Sequence, residues 1–277
     1  MSDKRALRIY GAPELNCPTM VVGWGEDVGG LGSGVTDYLI KKLGCQAFGE
    51  IEPEGFFPLS GVSVENDVAR FPESVIYFCA EKNLVVFKSN SPRSDWYRFL
   101  NSTLDIGEHY YQTKEVYTIG GMVYIGAHTS PRHLVAVANS PEMREALAQS
   151  DLAMDINYET PLGQRPTLNA FLLWIARMRD LAGASLWVPV PFYLGSAPDP
   201  KAWRKIVGFL DDRLNLEIDF RDLDEEVLRH DAKMAQLRSR SADVDTCIHR
   251  LESNIALSDA ENEKLVSKVQ EFLESKD

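Results

Sequence analysis

Apolar runs and helix-spaced apolar stripes take turns along the first 216 residues of this chain. LRIYGAP (residues 7–13) and TMVVGWG (19–25) read as strands, the second unbroken enough for a sheet covered on both faces. From Gly30 to Leu43 the positions Leu31, Val35, Tyr38, Leu39 and Lys42 fall at helical spacing, and Gly44 stands where a helix C-terminal glycine belongs. CQAFGEIEP (45–53) is a further strand. VSVENDVARFP (62–72) alternates about Glu65-Asn66-Asp67 as a hairpin does, and SVIYFCAEKNLVVFKS (74–89) joins two β-rich runs through Glu81-Lys82-Asn83. Asp95 to Tyr111 is helical, with Ser94 as N-cap. EVYTIGGMV (115–123) is a strand ending in glycines, and HLVAVANS (133–140) is another, followed by a short helix from Pro141 to Ala148. TLNAFLLWIARMRDLAG (167–183) is a strongly apolar helix. ASLWVPVPFYL (184–194) is a last strand whose prolines put it near an edge or limit its length, and DPKAWRKIVGFLDDRLNL (199–216) is an amphipathic helix.

This order predicts an α/β domain over residues 1–216, with helices on both faces of a mixed, largely parallel sheet. The pattern then changes. Leu223, Val227, His230, Met234, Leu237, Ser241, Val244, Ile248, Leu251 and Ile255 recur in steps of four and three, a heptad seam with only His230 and Ser241 polar. The seam breaks at Asn254 to Leu257, and Ser258-x-x-Glu261 forms a capping box that launches a helix through Leu265, Val269 and Phe272. Residues 217–277 are therefore expected to be an acidic helical pair. Val227, Met234, Leu237, Val244, Ile248 and Leu251 would form a stripe for self-association or a partner, since so regular a seam needs another surface to cover it.

Charge sharpens this division. The net charge is −12, from 29 basic and 41 acidic residues, and residues 217–277 alone hold nine Lys and Arg against sixteen Asp and Glu. Such a balance argues against nucleic acid and anionic membranes as partners, because both need a dense cationic patch. No apolar stretch approaches the length of a membrane span, and the N-terminus lacks the apolar core and cleavage site of a secretory signal. Cys17, Cys45, Cys79 and Cys247 are far apart in sequence and form no CxxC pair, so they read as buried or incidental thiols of a cytoplasmic protein.

Val21 to Gly44 contains seven glycines, and much of the functional reading turns on what they do. A dinucleotide loop needs G-x-G-x-x-G; Gly23 and Gly25 begin it, but position 28 is Val. A P-loop needs Lys after its last glycine, and Leu31 follows Gly30. Glu26 and Asp27 lie where a phosphate would sit, and carboxylates at a helix N-terminus disfavour a second anion. The cluster is expected to turn the chain and to let strand and helix pack closely. GAHTSPRH (126–133) places His128, Thr129, Arg132 and His133 after a strand end, a usual position for chemistry in α/β sheets, although Pro131 makes it first a turn. NYETPLGQRP (157–166) carries Glu159 and Arg165 on a loop that reads as a lid or crossover closed by an ion pair. Trp187, Tyr193 and Trp203 sit beside apolar neighbours and read as core or interface before ligand surface. Neither a nucleophile elbow nor a zinc-type spacing occurs, so no catalytic set, metal or cofactor is expected.

VVGWGEDVGGLGSGVTDYLIKKLG, EIEPEGFFPLSGV, YTIGGM with AHTSPRH, and ASLWVPVPFYLGSAPDPKAWRKIVGFL follow one another in an order that resembles the proteasome assembly chaperone 2 family. The likeness spans roughly residues 7–255 and is nearest the prokaryotic members, which have been loosely labelled ATP-grasp-like carboligases. It implies a three-layer α/β sandwich of the nucleoside-phosphorylase type, a C-terminal helical appendage and self-association. It also implies a role in binding and assembling other proteins, without an established catalytic set. Some archaeal members dock through a C-terminal tail ending hydrophobic-Tyr-any residue; this chain ends FLESKD, so that docking mode is not expected. Two readings follow. One is a non-enzymatic binding or assembly protein, homo-oligomeric, with a protein partner and candidate contact loops at Glu26, Asp27, His128, Thr129, Glu159 and Arg165. The other is a hydrolase or transferase that gathers Glu26, Asp27, His128 and Glu159 around one cavity to act on a small ligand.

Overall fold

The structure is a computed structural model, and it describes residues 7–11, 14–58, 62–65, 67–154 and 156–275. Among the described residues ten strands form: β1 (Leu7–Ile9), β2 (Thr19–Trp24), β3 (Gln46–Ile51), β4 (Ser63–Glu65), β5 (Val68–Arg70), β6 (Ser74–Cys79), β7 (Leu84–Ser89), β8 (Glu115–Tyr124), β9 (Val135–Ala138) and β10 (Ala182–Pro191). Eight of them make one mixed sheet in the order β1-β3-β6-β7-β2-β8-β10-β9, and β4 and β5 pair as a separate hairpin. β7, β2, β8 and β10 run parallel at its centre, with antiparallel strands on both flanks. Asn66, expected in the turn of that hairpin, and the N-terminal residues 1–6 lie outside the described residues.

Alternation along the central strands assigns the two layers of helices. Met20, Val22, Val85, Phe87 and Val116 face α2 (Trp96–Tyr111) and α4 (Leu168–Met178), which supply Phe99, Leu104, Leu172 and Ile175. Val21, Leu84, Val86, Tyr117 and Ile119 face the other way, onto α1 (Leu31–Lys42) and α5 (Pro200–Leu214). The short α3 (Pro141–Leu147) adds Met143 and Leu147 to this second layer. Helix, sheet and helix make the three layers that the sequence leads one to expect. Gly44, at φ +62°, ends α1, and the Cys45 N–H returns to the Ile40 carbonyl at 2.9 Å, as a left-handed glycine cap allows.

Several local expectations need correction. Ser94 does not cap α2; its hydroxyl donates to the Gly55 carbonyl at 2.7 Å, and Asp95 takes the N-cap position at φ +47°. Gly120 and Gly121 do not end β8, which continues to Tyr124 because β10 stays paired beside it. β10 itself is one strand in from the edge. Its Pro189 and Pro191 lie beyond the stretch, Ala184 to Trp187, that pairs with β9, so their missing N–H groups leave no ladder bond unmade on that side. Cys45 and Cys79 are not incidental thiols: they face each other across β3 and β6 and form a disulfide, leaving Cys17 and Cys247 free.

The C-terminal region is three helices, not two: α6 (Arg221–Arg240), α7 (Ala242–Glu252) and α8 (Asp259–Glu274). The seam keeps its spacing across Ser241, but the backbone leaves the helix there, and Ser241 instead receives the Lys268 ammonium at 3.1 Å. Ser258 and Glu261 do form the reciprocal capping box. Met234, Leu237, Val244, Ile248 and Leu251 are buried, and Leu265 and Val269 of α8 join them. All belong to the same cluster as Leu31, Ile206, Tyr193 and Leu194, which also holds Leu216 at the expected domain boundary. The seam is covered from within the chain, and of its apolar members Val227 and Ile255 stay outside that burial.

Candidate functional site

Strand order reverses between β2 and β8. The chain leaves β2 through α1 towards β3, and leaves β8 towards β9 and β10 on the opposite side. The crevice beyond the carboxyl ends of such a strand pair is where open α/β sheets bind ligands. Here the glycine cluster fills it. Gly23 and Gly32 bring β2 and α1 together so closely that a Cβ on Gly23 would stand 2.3 Å from the Gly32 carbonyl oxygen. Gly29 and Gly30, at φ +69° and +59°, make the turn that carries Asp27 back over the strand ends. Asp27 Oδ1 accepts the Val28 N–H at 2.8 Å, and Oδ2 accepts the Gly121 N–H of β8 at 2.9 Å. The Val28 carbonyl closes on Gly121, where a Cβ would lie 2.2 Å from it.

Asp27 thus occupies the place a bound anion would take at this helix start, and it uses the amides that would hold one. Burial pushes its carboxyl up to about 6, against the lowering effect of bonds from Gly121, Val28 and Gly32. Glu26 points away. It is exposed and pairs with Arg93 at 3.3 Å on the surface.

His128 lies on the loop after β8 and is buried. Its backbone N–H donates to the Tyr193 hydroxyl at 2.6 Å, and that hydroxyl lies 2.9 Å from Nδ1. The Tyr193 hydroxyl thus holds both the backbone and the ring of His128. Burial, and then the positive charges of Lys201 and Arg238, lower the His128 pKa to about 4, so the ring is neutral near pH 7. Thr129 donates to Glu252 of α7 at 3.0 Å, and Arg238 of α6 donates to the same carboxylate at 2.7 Å. The C-terminal helices therefore close over the His128 loop. Beside it, His230 of α6 is buried with no hydrogen-bond partner for Nε2.

Arg132 and Asp199 form the most buried ion pair of the region. Arg132 Nε and Nη2 both donate to Asp199 Oδ2, at 3.1 and 2.8 Å, and the Asp199 side chain is 1 % exposed. Asp199 Oδ1 also accepts the Ala202 N–H as N-cap of α5. Sequence reasoning passes over Asp199, although Asp before Pro at a helix start is a capping signal. It also passes over Asn169, which accepts from Trp24 Nε1 at 2.6 Å and donates to the Ile119 carbonyl at 2.9 Å, tying α4 to β2 and β8.

Glu159 and Arg165 lie elsewhere. Both are exposed, and no pair closes the loop between them among the described contacts. Arg165 instead sits over the Trp96 ring at 5.9 Å, on the α2–α4 side of the sheet. Asp27 and His128 thus share the same end of the sheet, and Arg165 packs on the opposite layer. Among the described residues, no three His, Cys, Asp or Glu side chains converge as metal ligands would, and no helix is long and apolar enough to cross a membrane.

The sequence pattern of the PAC2 family matches residues 20–238. The chain belongs to the PAC2 family. The resemblance noted in the sequence is borne out, and the matched span runs past Leu216 into α6. PbaB of Pyrococcus furiosus, described as an archaeal proteasome activator, shares 20% identity over 84% of this chain and 98% of its own, with a TM-score of 0.68. A Mycobacterium tuberculosis protein of unknown function shares 16% identity over 92% of this chain and 90% of its own, with a TM-score of 0.76. A PAC2 family protein of Streptomyces avermitilis shares 21% identity over 79% of this chain and 95% of its own, with a TM-score of 0.65. These likenesses show a shared fold over most of the chain. No curated protein matches the sequence.

Proposed function

We propose that this PAC2 family protein is a non-enzymatic binding and assembly factor, working as a homo-oligomer on a protein partner. One observation carries the reading: Asp27 fills the crevice between β2 and β8 and holds the amides that a phosphate or substrate anion would need. The enzymatic alternative requires Glu26, Asp27, His128 and Glu159 around one cavity. Glu26 and Glu159 stand on the surface, and His128 lies beneath α6 and α7. The fold likeness to a proteasome activator supports a role in multisubunit assembly. For self-association, the α2–α4 layer offers an exposed aromatic face in which Phe171 and Trp174 stack at 5.4 Å with Tyr97 alongside. Such contiguous apolar surface marks protein contacts.

The test is twofold. Native affinity capture with mass spectrometry should recover a stoichiometric protein partner. ATP and NAD should leave the thermal midpoint unchanged, whereas a ligand at 100 times its Kd would add about 2.7 kcal/mol. A saturable rise of the midpoint with either nucleotide, or a light-scattering mass at the 31.1 kDa of one chain, overturns the corresponding half of the reading.

A further inference from the structure

The disulfide between Cys45 and Cys79 joins the residue just before β3 to the last residue of β6. The fold does not depend on that bond. β3 is already paired with β1 and β6, and β6 with β7, and the sheet carries an apolar core on each face. Disulfides that a fold cannot spare belong mostly to small domains without such a core. The two sulfurs also differ in access. Cys79 is 3% exposed in a cluster with Leu39 and Leu84, whereas Cys45 is half-buried between the exposed Gly44 and Gln46. An attacking thiolate therefore reaches the bond at Cys45 Sγ.

Both cysteines have a place in the reduced state. Cys45 Sγ lies 3.8 Å from the Leu39 carbonyl, which can accept a thiol proton beside the Leu43 N–H that it already holds at 2.9 Å. Cys79 as a thiol is a small hydrophobe in an apolar cluster.

The bond sits between two grips on the passage from α5 to α6. Lys42, three residues before Cys45, meets Asp222 at 2.9 Å, and the Tyr38 hydroxyl donates to the same carboxylate at 2.9 Å. Lys82, three residues after Cys79, meets Glu217 at 2.6 Å. Glu217 and Asp222 bracket the joint between the two helices. From the disulfide to the register shift at Ala47/Gly49, two residue pairs hold β3 to β6: Gln46 with Phe78 and Ala47 with Tyr77. So short a stretch at a strand end frays readily once its covalent tie is cut.

We propose that the Cys45–Cys79 pair is a reversible thiol–disulfide site, reduced by a dithiol, whose state sets how tightly the α5–α6 joint is held. One thiolate of the dithiol attacks Cys45 Sγ. Its new S–S bond forms as the Cys45–Cys79 bond breaks, and the electron pair leaves on Cys79 Sγ, which takes up a proton. The second thiolate of the dithiol then displaces Cys45 Sγ, which is protonated in turn and donates to the Leu39 carbonyl. Two electrons and two protons pass to the protein, and the reductant leaves as a disulfide. An oxidised dithiol reverses both steps. With the bond open, the segments carrying Lys42 and Lys82 move independently, and α6 is held less firmly at its start.

The test takes the full chain through mixtures of reduced and oxidised dithiothreitol, read by alkylation with mass spectrometry and by hydrogen exchange. The bond should open and re-form without denaturant while the chain keeps a cooperative melt. Amide exchange over residues 217–222 should quicken about threefold or more on reduction, with β8 and β10 unchanged. The double variant Cys45→Ala with Cys79→Ala should match the reduced chain and ignore dithiothreitol. A response that it keeps belongs to Cys17 or Cys247 and overturns the proposal. With glutathione disulfide, Cys79→Ala should form a mixed disulfide at Cys45, and Cys45→Ala should form none at Cys79. Lys42→Gln with Lys82→Gln should leave the bond reducible but remove the redox response of residues 217–222. The proposal fails if the bond resists dithiothreitol until the chain unfolds, or if reduction leaves exchange over residues 217–222 unchanged. Should the double cysteine variant not fold, the reduced native chain decides by the same two readings.

Discussion

Arg132 and Asp199 face each other in the interior, with the Arg132 guanidinium donating twice to one carboxylate oxygen of Asp199. They join the loop after β8 to the start of α5, and the Asp199 N–H reaches across to the Gly29 carbonyl at 3.1 Å. Breaking a buried pair from one side strands the other charge, at a cost of about 3–5 kcal/mol. Arg132→Met should therefore lower the unfolding free energy by about that amount in urea titration. The double variant Arg132→Met with Asp199→Asn should recover part of the loss, because the asparagine amide retains an acceptor for the α5 cap and leaves no buried charge. A double variant no more stable than the single one would show that the cap, and not the charge, dominates.

Asp27 imposes a pH dependence with a definite sign. Its carboxyl is raised from 3.8 to about 6 in the folded protein, so the folded state binds more protons than the unfolded state between those values. Its contribution is present below about pH 4 and is lost as pH rises through 6. Asp27→Asn cannot titrate. The stability difference between the variant and the native chain should shift in favour of the variant from about pH 4.5 to about pH 7.5, by on the order of 2 kcal/mol. Chemical denaturation at the two pH values measures it; an unchanged difference contradicts the burial argument.

His128 produces the opposite trend. Its pKa falls from 6.5 to about 4 on folding, so the folded state binds fewer protons in that window, and stability declines as pH drops from 6.5 towards 4. His230 of α6 is lowered by burial as well and adds to the same slope. His128→Asn keeps a polar partner near the Tyr193 hydroxyl while removing the titration. The variant should lose less stability than the native chain between about pH 7 and about pH 5, and an identical slope would reject the assignment.

A chain ending at Leu216 should not behave as an independent domain. Without α6 to α8, Tyr193, Leu194 and the outer faces of α1 and α5 lose Met234, Val244, Ile248, Leu265 and Val269 from their shared cluster. Burial of five such side chains stabilises by roughly 2 kcal/mol each, in sum comparable to the whole stability of a typical domain. The fragment is expected to aggregate or to melt without a cooperative transition in calorimetry. A soluble fragment with a sharp transition would establish the boundary that the change of period at residue 217 suggests.

Much of the architecture is legible because its elements are locally consistent. β2 is a continuous apolar run flanked by turn residues, α1 has its stripe and its terminal glycine, and Ser258 with Glu261 announces α8. What the sequence does not reveal depends on partners distant along the chain. Ser94 is a plausible cap until the carbonyls of Gly55 and Phe56, far back in the chain, take its hydroxyl. β8 runs through two glycines because β10 holds it, and Cys45 meets Cys79 because β3 lies beside β6. The seam illustrates the same limit: periodicity identifies a stripe that must be buried, but not whose surface buries it. At the site, Asp27 stands out from its position alone. Asp199 and Asn169 emerge only when three elements come together around each.

The reach of α8 has a consequence for how the molecule is made. Val35 of the first helix and Val269 of the last lie in one hydrophobic cluster. A ribosome adding about 5–20 residues per second must synthesise α8 before that cluster can close. Until then the nascent sheet carries an uncovered apolar face, so arrested or prematurely ended products of translation should be clients of chaperones and proteases from the start. A protein read here as an assembler of others cannot complete its own interior until α8, more than two hundred residues after α1, has been synthesised.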